Sequence, residues 1–497
     1  MNMYAGVMEG YDWPTPSDNP DFKRPANHQI EGAVFLAARN RAFCFGDIGT
    51  GKTTMAFWAM RWRQKAGLTK RPLIVAPSDA LDGTWLDAIE SIEPTLKTAV
   101  LYNCPRAEKF RRMADPTVDV LLTTPDWLGE IYNQPGGDGS VDLIIADEST
   151  EYKNYTAVRS KALTWFARNQ SRAVWLMSGE PMPQGPDDMF SQCRIVCPEV
   201  VPKSFQVWQD WTSTPHEFDM RKRIPRPGVE RWIYERIAPY TVRYALEDVW
   251  PNIPASHKPE VKIEETREQN RLRQQLEAEW VAEVSAEHTI TAAHEAAGMQ
   301  KLLQLAAGAV LYIAPDGRQR VHFVDCQPKL DALFRIMGDT KGPVIVYCPF
   351  TAPLLMLEAV MQHKGLRVAL VNGDVSKSKR REIYKKFQAG MIDILLANPK
   401  ALRYSVTLTK ANTVVWWSLP WEQLAYGQAN GRIRRPGQER EQFIFHLLVS
   451  WIEQEVLSRL KQKRSAQGAL LQLLNNRGNY ARHPGTHSNV ELVRHAA

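Results

Sequence analysis

Cysteine is scarce in this chain, with six in 497 residues. Only Cys193 and Cys197 lie near each other, and no second pair or histidine cluster accompanies them. Neither a disulfide framework nor a zinc site is expected, and a reducing cytoplasm suits the chain. No apolar run approaches the ~18 residues that a membrane-spanning helix needs. The opening MNMYAGVMEGYDWPTPSD has neither a basic stretch nor an apolar core, which argues against a secretory signal. Internal repeats and low-complexity tracts are missing, and the eleven histidines form no metal-like group. A strong excess of one charge is missing too: 62 Lys and Arg against 55 Asp and Glu leave +7, which permits a polyanionic partner without requiring one. What is present is ordinary for a globular protein, with 44% hydrophobic and 24% charged residues. At ~150 residues per domain, the length implies two to four domains.

Short apolar runs bounded by turn residues fall into two clusters. The first comprises 41–47, 72–77, 118–124, 141–148 and 173–179; the second comprises 343–349, 367–373, 392–399, 412–419 and 441–449. Continuous apolar runs of this length suit strands buried on both faces, and helix-like stretches lie between many of them. The pattern predicts an α/β chain with two separate parallel sheets. Between the clusters, 266–304 is polar and rich in Ala, Glu and Gln. Leu272, Leu276, Trp280 and Val284 recur every four residues, which suits one helix face. The expected organisation is an N-terminal arm (1–24), a nucleotide-binding lobe (25–200), a mostly helical insert (201–335), a second lobe (336–464) and a helix running into a basic tail (465–497). Residues 259–262 are expected to be a plain strand.

Three segments carry chemistry. Gly46 to Thr53 reads GDIGTGKT, the GxxxxGK[ST] pattern, after a predicted strand and before a predicted helix. Glycines let backbone N–H groups close around phosphate oxygens, and the helix N-terminus adds partial positive charge. Lys52 would reach the β- and γ-phosphates, and the Thr53 hydroxyl would ligate Mg²⁺. The strand 143–146 ends in Asp147 and Glu148. Asp147 is placed to hold the metal through water, and Glu148 to orient and deprotonate an attacking water. Residues 428–438 read QANGRIRRPGQ, with Gln428, Arg432 and Arg435 spaced as QxxGRxxR. Arginines brought from a second lobe can neutralise charge on a transferring phosphoryl group. Three arginines in four residues equally suit a nucleic-acid patch. Basic stretches at 219–243 (interleaved with Trp232, Tyr234 and Tyr240), 377–386 and 461–497 would track a phosphate backbone if aligned, or would be solvated faces if not.

Taken in order, these segments resemble a superfamily 2 helicase, and the finer motifs resemble its Swi/Snf-type branch and compact bacteriophage relatives. The matching residues are His28-Gln29, the phosphate loop, Pro77 and Trp85, DESTEYKN (147–154), Ser178-Gly179-Glu180-Pro181, the segment 238–254 with Arg243, 301–312, 328–333, and WEQLAYGQANGRIRRPGQ (421–438). The likeness runs from about residue 25 to 465. It implies two RecA-like lobes with ATP and Mg²⁺ as cofactors. Gln29 would read adenine, and Gly49, Thr50, Gly51, Lys52, Thr53, Thr54 and Gln428 would contact the nucleotide. Arg432 and Arg435 would complete the site. It also implies movement on double-stranded or branched DNA without sequence preference, in replication, recombination or repair. Three departures stand out: Glu180 replaces the usual Thr, the acidic motif reads Asp-Glu-Ser-Thr where the family commonly has a His, and Ala401–Leu408 lacks the usual glycines. The rivals are a phosphate-loop kinase, which would have no arginine motif or second lobe, and an ATP-gated DNA clamp that does not translocate.

Overall fold

The computed structural model describes residues 6–14, 25–132, 141–216, 219–287, 292–402 and 406–461. The chain divides into two compact units at Pro251/Asn252.

The first unit holds a seven-stranded sheet of β1 (Arg41–Gly46), β2 (Pro72–Val75), β3 (Thr98–Val100), β4 (Val120–Thr123), β5 (Leu143–Ala146), β6 (Ala173–Ser178) and β9 (Thr241–Tyr244), in the order β3-β4-β2-β5-β6-β1-β9. Every pairing in it is parallel. A short antiparallel hairpin, β7 (Ser213–His216) with β8 (Asp219–Pro225), stands apart from that sheet. The five apolar runs expected as strands are the middle of the sheet. β2, β4, β5 and β6 are fully buried, and β1 is buried beyond Arg41, because helices must cover both faces of a parallel sheet. The two strands that the apolar pattern did not single out, β3 and β9, sit at the edges, where a strand needs less apolar surface.

The second unit carries β10 (Ser256–His257), β11 (Glu260–Lys262), β14 (Val344–Tyr347), β15 (Val368–Val371), β16 (Ile394–Ala397), β17 (Thr413–Trp416) and β18 (Gln442–Leu448), with a separate antiparallel hairpin, β12 (Ala309–Ile313) and β13 (Gln319–Phe323), after β11 and a helical stretch, 451–461, after β18. The main order is β10-β18-β17-β14-β16-β15, with β11 also paired to β18, and all pairings are parallel. Two parallel α/β lobes are therefore present as expected, and 260–262 is the plain strand foreseen for it.

The stretch 201–335 is shared between the units rather than standing alone. Residues 201–251 complete the first sheet through β9, and 252–335 belong to the second unit. Within 266–304 there are two helices, Arg267–Glu287 and Ala292–Ala306, and the four residues spaced for one helix face all fall in the first of them. Leu276 packs on the second unit's core. Of the expected N-terminal arm, Trp13 packs edge-on against Trp58, whose indole N–H donates to Pro14 O (2.8 Å). The expected tail, 465–497, lies outside the described residues, as do Arg403, Tyr404 and Ser405 of the altered loop.

Candidate functional site

Parallel strands put all their carboxyl ends on one edge of the sheet, and ligands of such sheets bind there. In the first unit the four neighbours β5, β6, β1 and β9 deliver to that edge Asp147-Glu148, Ser178–Pro181, the phosphate loop and Arg243. The loop runs from the end of β1 into the helix Lys52–Lys65, as its sequence requires. Its tightness depends on glycine. Gly51 has φ +82°, and a Cβ there would lie 2.3 Å from Gln29 Nε2. Lys52 Nζ donates to Gly46 O (2.6 Å) and Asp47 O (3.3 Å), which holds the ammonium inside the curl of the loop. Gln29 is buried at the start of the helix Asn27–Ala37, where its Oε1 accepts from Ala26 N (3.0 Å). His28 Nε2 reaches Thr50 O (3.0 Å). Thr50 is buried, and Thr53 and Thr54 lie half-buried in the helix's first turn.

Asp147 is buried and accepts from Trp85 Nε1 (3.0 Å) and Glu148 N (3.0 Å). Burial pushes its carboxyl pKa up, while the nearby Lys52 charge pulls it down. A buried carboxylate beside a cation at a phosphate loop suits a hydrated Mg²⁺, which keeps several waters and takes further ligands from phosphates. Among the described residues no cluster of three or more His, Cys, Asp or Glu could cage a metal unaided. Glu148 has φ +56°, a left-handed backbone that costs a non-glycine residue roughly 1 kcal/mol or more. Such strain tends to sit at functional positions, and here it bends the chain directly after Asp147.

Departures from the family pattern have structural counterparts. Where a His is common, Thr150 is buried beside Ser149, whose Oγ donates to Gln192 Oε1 (2.6 Å). Gln192 Nε2 in turn donates to Pro181 O (2.8 Å). The acidic segment and the Ser178–Pro181 segment are thus tied by a buried side-chain bridge. Sequence reading missed Gln192 because its partner is 43 positions away and nothing local marks it. It also placed Asp47 only in the phosphate loop and Arg243 only in the matched segment 238–254, and did not foresee that the two pair, at 2.6 Å.

Gln428, Arg432 and Arg435 belong to the second unit and are assembled there. Gln428 lies buried in the helix Gln423–Asn430, which follows β17. Arg432 is 2% exposed. Its backbone carbonyl accepts from Leu408 N (2.9 Å), and its guanidinium donates to Val406 O (3.4 Å). Arg435 donates to Gly431 O (3.0 Å) and Thr407 Oγ1 (3.1 Å). Burial, and then the neighbouring Arg432 charge, push the Arg435 pKa well below its ordinary value. Two crowded guanidinium groups of this kind would both gain from an anion.

The basic stretches differ in how much charge they leave available. In the helix Lys377–Gln388, Lys379 and Lys386 are both spent on Glu382, and Arg380 donates to backbone carbonyls at 372, 373 and 401. The first turn of this helix holds bases and no acids, against the helix dipole. Around 205–240, Asp210, Trp211, Arg226, Trp232 and Arg236 line an open cavity of about 400 Å³. There the Arg236 guanidinium stacks 3.6 Å over Trp232, and Trp211 is 47% exposed. Of the third stretch, only Lys461 lies within the described residues, and it pairs with Glu260.

Fold and site together define an α/β protein with a phosphate loop at the carboxyl edge of one parallel sheet and a second parallel sheet that carries the paired arginines. Residues 28–308, more than half of the chain, match the SNF2-related domain, and residues 328–437 match the helicase conserved C-terminal domain. The chain belongs to the SNF2-related family. Similar curated proteins include the Zorya protein ZorD of Escherichia coli, 24% identical over 497 residues, with 89% of this chain and 44% of that one covered. The nuclear protein STH1/NPS1 of Saccharomyces cerevisiae is 22% identical, with 86% and 33% covered. The ISWI chromatin-remodeling complex ATPase CHR11 of Arabidopsis thaliana is 21% identical, with 86% and 40% covered. The chain therefore spans less than half the length of these three relatives. Among solved structures, the Sulfolobus solfataricus SWI2/SNF2 ATPase core in complex with dsDNA is similar at 18% identity and TM-score 0.42, covering 92% of this chain and 96% of that one. Among the described residues no helix is long and apolar enough to cross a membrane.

Proposed function

We propose that this chain is an ATP- and Mg²⁺-dependent DNA motor. The observation that carries the reading is the edge of the first sheet, where four adjacent parallel strands deliver the phosphate loop, Asp147-Glu148, Ser178–Pro181 and Arg243 side by side. Gln29 contacts the base. Gly49, Thr50, Gly51, Lys52, Thr53 and Thr54 hold the phosphates through backbone N–H groups, an ammonium and hydroxyls. The Thr53 hydroxyl, and Asp147 through water, hold Mg²⁺, which when bound draws charge off the β- and γ-phosphates. Glu148 takes the proton of the attacking water. Gln428, Arg432 and Arg435 serve the nucleotide from the second lobe, so that closure completes the site and turnover releases it. Support for the arginines comes from the crowding of the buried Arg432 and the half-buried Arg435 guanidinium groups.

DNA is the track, double-stranded or branched, and the contact is to backbone rather than sequence. Supporting this are the family and the chromatin-remodeling ATPases among the relatives. The narrower assignment, to bacteriophage replication, recombination or repair in a host cytoplasm, rests on the resemblance of 301–312 and 328–333. The altered segment 401–408 favours one second reading, an ATP-gated DNA clamp that does not step.

The test is the steady-state ATPase rate with and without duplex DNA, beside displacement of a third strand from a triplex. Stimulated ATPase with displacement is the expected result. Stimulation without displacement would favour the clamp, and absence of ATPase in both conditions would overturn the motor reading.

A further inference from the structure

The phosphate loop is held from outside by the segment through which the chain leaves the first unit. Asp47 lies in the loop, and Arg243 at the end of β9, 196 positions later, meets its Oδ1 at 2.6 Å. The Arg243 side chain is 4% exposed and that of Asp47 is 32% exposed. The other carboxylate oxygen accepts from Leu246 N (2.9 Å), and Asp47 N donates to Tyr244 O (3.1 Å). Arg243 also donates to Tyr244 O. On the loop's other side, the His28 ring meets Tyr244 (5.4 Å) and Trp250 (6.2 Å) edge-on, while its Nε2 reaches Thr50 O. A carbonyl only accepts, so Nε2 carries the proton. Burial lowers the His28 pKa, which keeps the ring neutral in that role. Asp47 is thus fixed directly by a segment that ends at Pro251, where the first unit ends, and Thr50 indirectly, through the His28 ring that packs on the same segment.

Nothing in a phosphate loop's own chemistry calls for this pair, since the loop binds with backbone N–H groups, the lysine and the hydroxyl. A largely buried ion pair is weak evidence for stability, but it is suited to holding one geometry out of several. We propose that Arg243–Trp250 is a positioning element for the phosphate loop, with Arg243 and the Leu246 N–H holding Asp47, and His28, backed by Tyr244 and Trp250, holding Thr50. Nucleotide binding and the conformation of 243–250 are then linked. Linkage is reciprocal: what ATP does to the segment, the segment does to ATP affinity. The inference rests on the nucleotide reading of the loop. Arg243 and Asp47 touch neither phosphate nor metal in this scheme and act through the loop.

The experiment uses the full chain and Mg·ATP. Equilibrium ATP binding, kcat and KM, and amide exchange at 243–250 with and without ATP are measured for wild type, Lys52→Ala, Asp47→Asn, Arg243→Gln and the double Asp47→Asn/Arg243→Gln. Wild type should gain exchange protection at 243–250 on adding ATP. Each single variant should bind ATP about tenfold more weakly and lose that response. The double variant, which leaves no unpaired buried charge and keeps hydrogen-bonding groups, should recover most of both. A merely structural pair would lower thermal stability yet leave the ATP-dependent protection in place. If a single variant fails to fold, the double variant and wild type still decide the matter through exchange. Wild-type binding and protection in folded Asp47→Asn or Arg243→Gln, or no response at 243–250 in wild type that binds ATP, would overturn the proposal. ATP binding unaffected by Lys52→Ala would instead overturn the nucleotide reading of the loop.

Discussion

Glu148 and His446 show how much one side chain's setting decides. Glu148 follows the buried Asp147 on a strained left-handed backbone, where the proposed chemistry needs a base. Glu148→Gln keeps the shape and leaves Asp147 in place, so ATP should bind as in wild type while turnover disappears. A retained steady-state rate in that variant would remove the role assigned to it. His446 lies in the core of the second unit. The Pro259 carbonyl can only accept, so Nδ1 carries the proton (3.3 Å) and Nε2 accepts from Tyr426 Oη (2.8 Å). Burial pushes its pKa down to about 4 from the ordinary 6.5, against smaller upward pulls from the Pro259 bond and Glu260. The folded state therefore refuses a proton that the unfolded chain accepts. The contribution of His446 is fully present above pH 6.5 and is lost as pH falls toward 4. By linkage it amounts to about 3 kcal/mol. Denaturant melts from pH 7.5 to 4.5 should show this loss in wild type and a flatter profile in His446→Gln; identical profiles would count against it.

Elements are tied together by a few buried polar groups. In the second unit Lys329, on the helix Gln327–Asp339, donates to Glu453 (2.7 Å) and to Ala306 O (3.1 Å) at the end of the helix Ala292–Ala306. The lysine side chain is 1% exposed and that of Glu453 0%. Glu453 also accepts from Val449 N (2.6 Å), so the helical stretch 451–461 is bound to the same point. Lys329→Met leaves a buried carboxylate unpaired and should cost about 3–5 kcal/mol. Lys329→Met/Glu453→Gln should recover much of that, as read by urea midpoints. Equal losses in the single and double variants would show that packing, not charge, is what matters there. In the first unit the bridge Ser149–Gln192–Pro181 is the counterpart. Gln192→Ala should lower the DNA-stimulated rate more than ATP affinity, because it loosens Ser149 behind Glu148 without touching the phosphate loop. Unchanged stimulation would make the bridge a packing feature only.

For the whole molecule the decisive question is whether the second lobe serves the nucleotide. An arginine that stabilises a transferring phosphoryl group is worth roughly 10³–10⁵ in rate. Arg435→Ala should lose most of the ATPase rate at saturating DNA while still binding ATP, because the first unit is untouched. Arg435→Lys should rescue poorly, since a point charge cannot replace the planar fork. If 432–435 is instead only a DNA contact, Arg435→Ala will bind DNA more weakly and reach the wild-type maximal rate. That result would defeat the assignment.

The two parallel sheets, the phosphate loop, the acidic pair, the arginine segment and the family were legible in the sequence, because each is written in consecutive residues. An apolar run buried on both faces, or a glycine-rich turn before a helix, needs no distant partner to be recognised. Edge strands β3 and β9 were not legible as strands, since their burial is incomplete and their pattern weak. Nor could the sequence reveal which polar groups meet. Asp47 finds Arg243 196 positions away, Ser149 finds Gln192, and Lys329 finds Glu453, 124 positions away, only because the sheets and their helices bring those chain segments together. A side chain's partner, its burial and hence its charge state are properties of three-dimensional neighbourhood, and that neighbourhood exists only once the chain has folded.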